Sequence, residues 1–177
     1  MNQIIVLAMH GQSPSDFPKA EKMEFFRLHS ELNHLTGEKR VESKKKYDAI
    51  EIKMREWPRT KENDLYYFAS YELAEALAQA SGNKVIVGFN EFCAPDSNQA
   101  IDLAAKLSPA RICVITPMMT RGGGHSEHEI PSVVEKAQKR HPQFPIMYVW
   151  PFDSLEIGKF LAREIKRFLA KSTVKTS

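Results

Sequence analysis

Three positions in this sequence pair a side chain able to hold a transition metal or move a proton with a place just beyond an apolar run. They are His10 in Met9-His10-Gly11-Gln12-Ser13-Pro14, Glu91 in Phe89-Asn90-Glu91-Phe92-Cys93-Ala94-Pro95, and His125 at the end of Arg121-Gly122-Gly123-Gly124-His125. Imidazole with carboxylate suits borderline first-row divalent ions such as iron, cobalt, nickel and zinc. Calcium and magnesium prefer all-oxygen shells. Imidazole also changes protonation near neutral pH, so the same groups can act as bases. One histidine in a loop is ordinarily just a hydrogen-bonding residue. Two histidines and a carboxylate from separate segments form a site only where the fold brings them to one place.

The runs that precede these residues, Ile4 to Met9, Val85 to Phe89 and Ile112 to Thr116, together with Ile146 to Trp150, are apolar nearly throughout and rich in Val and Ile. They read as parallel strands buried on both faces. Helical spacing lies between them. Leu65, Phe68, Ala69, Leu73, Ala76, Leu77 and Ala80 recur on one face with Gly82 at the expected stop, and shorter helices are predicted over Asp96 to Leu107 and Ile130 to Ala137. In the C-terminal segment Ile157, Phe160, Leu161, Ile165, Phe168 and Leu169 are expected inward, with Lys159, Arg163, Lys166 and Lys171 outward. Alternation of strand and helix predicts an α/β fold: a single three-layer domain around a four-stranded parallel sheet with right-handed crossovers. In such a sheet the loops after the strands share one edge, where ligands bind, and this places His10, Glu91 and His125 together.

The stretch Gly37 to Arg59, with Lys39, Arg40, Lys44, Lys45 and Lys46 and few apolar residues, is expected to be a helical insertion on the surface, and Ser172 to Ser177 a flexible tail. Length and composition fit one domain over 1–177: 42% of the residues are hydrophobic and 27% charged. The formal charge of +3 is too small to point to nucleic acid and is compatible with an acidic small molecule. The only cysteines, Cys93 and Cys113, form neither a Cys-x-x-Cys pair nor a disulfide framework. A reducing compartment is therefore expected, and the opening apolar run is too short to span a bilayer. Together these predict a cytoplasmic protein with no nucleic-acid or membrane partner.

The run from Pro117 through Arg121-Gly122-Gly123-Gly124-His125-Ser126-Glu127-His128-Glu129-Ile130-Pro131 resembles the Pro…Gly-x-His-x-x-x-Asp-Ile-Pro signature of the class II tetrapyrrole chelatases of the CbiX-type, the sirohydrochlorin cobaltochelatases. Met9-His10-Gly11-Gln12 is similar to that family's Gly-His-Gly-Ser opening, and Phe89-Asn90-Glu91 with Pro95 to its Phe-Leu-Glu…Pro element. The three segments stand in the family's order. Met9 takes the place of Gly, Gln12 of Ser, Asn90 of Leu and Glu129 of Asp.

The resemblance implies a lyase that inserts a divalent metal, cobalt, iron or nickel, into sirohydrochlorin or a related tetrapyrrole, without nucleotide hydrolysis and without an organic cofactor. The metal is then a substrate, and the product belongs to cobalamin, siroheme or related cofactor biosynthesis. His10 and His125 are expected to present the metal and assist deprotonation, with Glu91 as a third ligand or proton relay. On the substrate side, Gly11 and Gln12 come from the opening motif. Gly122, Gly123 and Gly124 would let backbone approach a flat ring, and Arg121 would meet a carboxylate. His128 is expected to be accessory, and His29, His34 and His141 surface or structural. Met118 and Met119 would line the pocket or, in preference, pack in the core. A one-domain chain resembles half of the two-domain chelatases, which implies a homodimer. A non-catalytic metal or tetrapyrrole carrier and a metal-dependent hydrolase could use the same ligand set. A phosphotransfer enzyme of the phosphoglycerate mutase type would show Arg-His-Gly where this chain has Met9-His10-Gly11.

Overall fold

The computed structural model describes residues 2–173. Four strands, β1 (Gln3–Met9), β2 (Lys84–Phe89), β3 (Arg111–Ile115) and β4 (Ile146–Tyr148), form one parallel sheet in the order β2-β1-β3-β4. Six α-helices accompany them: α1 (Lys19–Glu31), α2 (Gly37–Arg55), α3 (Leu65–Ser81), α4 (Ser97–Ala105), α5 (Ile130–Arg140) and α6 (Ser154–Thr173). The expected α/β class and parallel sheet are present, with helices on both faces. On one face α4 and α5 close the main core: Ile4, Val6, Ala8, Ile112, Val114 and Ile146 from the strands meet Ala100, Ile101, Ala104, Ile130, Val134 and Ala137. On the other, α3 covers Leu7, Met9, Val87 and Phe89.

Local chemistry fixes where the helices start and stop. Asp64 caps α3 by accepting from the Tyr67 N–H, and Gly82 ends it at φ 66. Asp96 and Gln99 form a reciprocal capping box on α4. Gly88 lets α4 lie directly on β2, because a Cβ there would stand 2.7 Å from the Ala100 Cβ. The chain crosses the sheet on opposite sides of β1 and β3: α3 lies on one face, α4 and α5 on the other. The order therefore switches between these two central strands, and a crevice opens at their carboxyl ends.

Several expectations are corrected. β1 is buried on both faces, but β3 and β4 are not: Cys113 and Ile115 are half-buried and Met147 is 51% exposed on the face that α3 leaves open. The α6 stripe does not point into a core. Leu161, Ile165, Phe168 and Leu169 are each at least half exposed, and no α6 side chain through Lys171 is buried. Helical periodicity gives the stripe but cannot say what it packs against. Residues 172 and 173 continue α6, and the rest of the expected tail, 174–177, lies outside the described residues.

Within the segment from Gly37 to Arg59 the helix α2 runs to Arg55, and Lys39, Arg40, Lys44, Lys45 and Lys46 are exposed. Its far end is nevertheless not surface decoration. Met54 is fully buried against Phe17 and Phe25 in a small core between α1 and α2. Arg59 enters the interior and pairs with Asp64 at 2.6 Å, their side chains being 6% and 0% exposed. The same guanidinium donates to the carbonyls of Gln12, Met54 and Phe92, which ties together the loop after β1, the end of α2 and the loop after β2. Arg59→Ala leaves a buried carboxylate and three carbonyls without their donor. It is expected to lower the free energy of unfolding by about 3–5 kcal/mol, read as a shifted urea midpoint; a shift below about 1 kcal/mol would refute the clamp.

Candidate metal centre

Backbone ladders carry the first two donors to the sheet edge. β1 and β2 are in register to Met9 and Phe89, and the ladder extends one step beyond them: the Asn90 N–H donates to the Met9 carbonyl and the Glu91 N–H to the His10 carbonyl. Gly11 turns the chain away at φ 99, so closely under the second loop that a Cβ would fall 1.9 Å from the Glu91 carbonyl oxygen. The glycine is thus required by contact between the two loops that carry His10 and Glu91. His125 arrives from the other side of the crevice, on a π-helical turn (His125–Glu129) that runs straight into α5. Such widened turns concentrate at functional sites.

The three side chains converge at the sheet edge. One ligating atom from each of His10, Glu91 and His125 lies within 4.8 Å of the others. The two imidazoles meet edge to face, ring centroids 4.4 Å apart, with Nε2 to Nε2 at 3.1 Å. Their outer nitrogens are already engaged. His10 Nδ1 lies 2.9 Å from the Gly11 carbonyl, which can only accept, and His125 Nδ1 lies 2.7 Å from the Glu129 carboxylate. Both Nδ1 atoms therefore act as donors, and the two Nε2 atoms meet at the same point, hydrogen-bonded to each other. Two ring nitrogens so placed suit a cation, which would replace the proton between them. Nitrogens about 2.1 Å from one ion at 90–110° stand roughly 3.0–3.4 Å apart, and the observed spacing falls in that range.

Glu91 stands 3.9 Å from His10 Nδ1 and, with Glu129, gives the crevice a negative wall. A cleft of about 320 Å³ opens from it between α1, α2 and the loop after β2, lined by Phe25, Phe26, His29, Tyr47 and Phe92 among others. Phe92 is held there at φ 58, a strained conformation for an aromatic residue. Burial pushes the Tyr47 phenol up to about 12, so it stays protonated and can pair with His29, 3.4 Å away. Burial likewise pushes up the Cys93 thiol, which sits in the interior 3.8 Å from Asp64 and remains a structural, protonated group.

The remaining expected residues divide. Gln12 is exposed, and its carbonyl serves the Arg59 clamp and the Cys93 thiol. Gly122, Gly123 and Gly124 are exposed in the loop before His125. Arg121 is largely exposed, 3.6 Å from Glu127. The Gly122 N–H donates to Glu127 and holds that carboxylate below its ordinary range. His128 is exposed and outside the triad, and His34 is on the surface. His141 is structural, bound to Asp102 at 2.6 Å. His29 is the exception, since it faces the cleft beside the site. Met118 packs against the main core, whereas Met119 is exposed beside an apolar cavity. Sequence reasoning missed Glu129 as the residue that fixes the His125 tautomer, although its i,i+4 spacing from His125 was a usable sign.

A doubly wound parallel sheet with a histidine after each of its two central strands has the layout of a class II tetrapyrrole chelatase domain. The CbiX family model matches residues 66–166, more than half of the sequence, and the chain belongs to the CbiX family. The matched region contains Glu91 and His125. A sirohydrochlorin ferrochelatase of Priestia megaterium is 29% identical over 66 residues, which make up 37% of this chain and only 24% of that protein. Among solved structures, one described as a cobalamin (vitamin B12) biosynthesis CbiX protein from Marinobacter aquaeolei VT8 superposes with a TM-score of 0.51 at 15% identity, over 96% of this chain and 98% of that one. It shares the fold. The sirohydrochlorin chelatase SirB from Bacillus subtilis subspecies spizizenii, solved in complex with cobalt, gives a TM-score of 0.43 at 16% identity, over 85% of this chain and 44% of that chain.

Glu129→Gln keeps the side chain's shape but weakens the acceptor that orients His125. Cobalt(II) affinity measured by calorimetry is expected to fall about 10- to 100-fold with the melting temperature unchanged; equal affinity in the variant would refute the orienting role.

Proposed function

We propose that the protein is a metal chelatase acting on an acidic tetrapyrrole of the sirohydrochlorin type, into which it inserts cobalt, iron or nickel. The observation that carries this reading is the pair of imidazole Nε2 atoms, 3.1 Å apart, that meet at one point beside a carboxylate. Family membership and the partial match to a sirohydrochlorin ferrochelatase support the substrate class.

In this reading His10 and His125 hold the incoming ion at the crevice mouth through Nε2. The aromatic cleft of Phe25, Phe26 and Phe92 takes one edge of the macrocycle against its rings. Insertion exchanges two pyrrole N–H protons for the divalent ion. Glu91, partly exposed and next to His10, accepts the first and passes it to solvent. As the ion is drawn onto the ring nitrogens, an imidazole Nε2 is released and accepts the second. The net change is one metal ion in and two protons out, so neither nucleotide nor redox partner is required.

The exposed glycines Gly122 to Gly124 let backbone approach the ring, and Arg121 is an exposed cation that could meet a peripheral carboxylate. Cytoplasmic location and action as a homodimer in cobalamin, siroheme or related cofactor synthesis complete the proposal. No helix among the described residues is long and apolar enough to cross a membrane.

Mixing the protein with sirohydrochlorin and cobalt(II), iron(II) or nickel(II) under anaerobic conditions is expected to accelerate the absorbance change of metal insertion over the protein-free rate. His125→Ala should remove most of that acceleration while circular dichroism stays unchanged. Tight binding of ring and metal with no rate increase would instead identify a carrier and overturn the catalytic reading. Arg121→Ala, at an exposed position, is expected to raise KM for the tetrapyrrole severalfold with little change in kcat. An unchanged KM would remove it from the substrate site.

A further inference from the structure

The cleft that opens from the metal centre carries charge of the wrong sign for an acidic guest. Glu51, Glu91 and Glu129 all line it, against one guanidinium, Arg55. That guanidinium is already committed. Its Nε and Nη2 donate to Glu51, Nη2 also to the Asn90 carbonyl, and Nη1 to the Cys93 carbonyl, and the side chain is only 18% exposed. The Asn90 amide nitrogen is buried out of reach. A carboxylate brought into this cleft therefore meets repulsion from three glutamates, and one donor is left to receive it: the His29 imidazole on the α1 wall.

His29 is exposed to solvent, yet its ring is held in place. Tyr47, facing it from α2, stacks on Phe25 with centroids 4.6 Å apart and planes 21° from parallel, and His29 lies at the same 21° to Phe25 with centroids 6.5 Å apart. Rings from two helices thus share one aromatic support, and their polar atoms meet, the Tyr47 hydroxyl 3.4 Å from His29 Nδ1. Burial, with Glu51 and Glu91 nearby, pushes the phenol up to about 12, so the hydroxyl keeps its proton and donates it to Nδ1. An imidazole that accepts at Nδ1 carries its own proton on Nε2. The Nε2–H is left for a ligand.

We propose that His29, with Tyr47 behind it, is a carboxylate-recognition subsite for the macrocycle: one acetate- or propionate-type side chain of the ring accepts from the His29 Nε2–H. This rests on the tetrapyrrole reading of the cleft and names how the ring enters it. The edge that lies against Phe26 and Phe92 presents a single carboxylate to α1, and the other acidic side chains turn to solvent, away from Glu51, Glu91 and Glu129. A hydrogen bond to an ionised acceptor is about twice as strong as a neutral one, so the subsite distinguishes a carboxylated ring from a neutral one of the same shape. Both residues precede the stretch that matches the family model, 66–166, so the subsite belongs to the α1–α2 hairpin of this chain. His29 touches the substrate but not the reacting nitrogens, and its contribution is to affinity.

Fluorescence titration of the full chain with metal-free sirohydrochlorin, and with the same ring after amidation of its carboxylates, tests this. His29→Phe keeps a flat ring and is expected to bind the acidic macrocycle about tenfold more weakly, while its affinity for the amidated ring falls by less than about threefold. His29→Gln keeps an N–H donor and should recover most of the loss. Tyr47→Phe keeps the stacking but releases the tautomer, so it is expected to weaken acidic-ring binding about threefold, and His29→Phe in that background should cost less than it does alone. In the insertion assay the losses should fall on KM more than on kcat. Unchanged affinity in His29→Phe would overturn the subsite, as would equal losses on the two rings, strictly additive effects of the two substitutions, or no recovery in His29→Gln. Failure of the broader reading looks different. A wild-type chain that binds cobalt(II) but neither ring overturns the tetrapyrrole assignment and this subsite with it, whereas a wild-type chain that metallates the ring alongside an equally tight His29→Phe overturns the subsite alone.

Discussion

The buried pair between Arg59 and Asp64 is the interaction on which the site's geometry depends. An ion pair removed from water gains little net energy unless its remaining hydrogen-bonding capacity is filled. Here the filling does the structural work. Asp64 spends its other oxygen on the first turn of α3, and the two terminal nitrogens of Arg59 donate to carbonyls of the loops after β1 and β2 and the end of α2, leaving only the Nε–H unpaired. Those loops carry His10 and Glu91. Neither has regular structure of its own, and loops without a partner for their carbonyls would stay solvated and mobile. One guanidinium converts them into a fixed pair, and Gly11 allows the close approach that results.

The rest of the site follows from topology. The connection that leaves β1 crosses one face of the sheet and the one that leaves β3 crosses the other, so the strand ends diverge and a crevice remains between them. His10 and His125 stand on its two lips. Their second nitrogens are committed to a carbonyl on one side and to Glu129 on the other, so the tautomers are set by the protein before any ligand arrives. Preorganisation of this kind means that binding a cation does not have to reorient the rings.

Much of this was legible in the sequence. Strand runs, helix stops at Gly82, and the loops holding His10, Glu91 and His125 follow from period, turn chemistry and the rule that parallel sheets work at one edge. What escaped depends on tertiary partners. Arg59 sits in a lysine-rich, apolar-poor segment, and nothing local distinguishes a buried arginine from a solvated one. The α6 stripe has clear amphipathic spacing, yet periodicity names a face and not its neighbour, and Leu161 and Ile165 are exposed. The β3 and β4 runs read as fully buried because apolar composition cannot show which face a crossover leaves open. His29, expected to be surface or structural, lines the cleft because α1 and α2 fold back over the loop after β2, a contact made by aromatic packing of Phe25, Phe26 and Phe92.

The candidate ligand set favours the proposed passage of a metal over its storage. Structural metal sites are closed, with four strong donors and little solvent. The present donors are two imidazoles and a carboxylate, with His10 and Glu91 side chains 44% and 36% exposed. Three donors at a crevice mouth leave coordination positions open for a second set of nitrogens, and the partial exposure lets protons reach water. A four-donor buried site would hold an ion too firmly to surrender it to a macrocycle, while a single histidine would not orient it. An intermediate set, fixed in direction by Glu129 and the Gly11 carbonyl but incomplete in number, is what the proposed role of accepting an ion and giving it up would require.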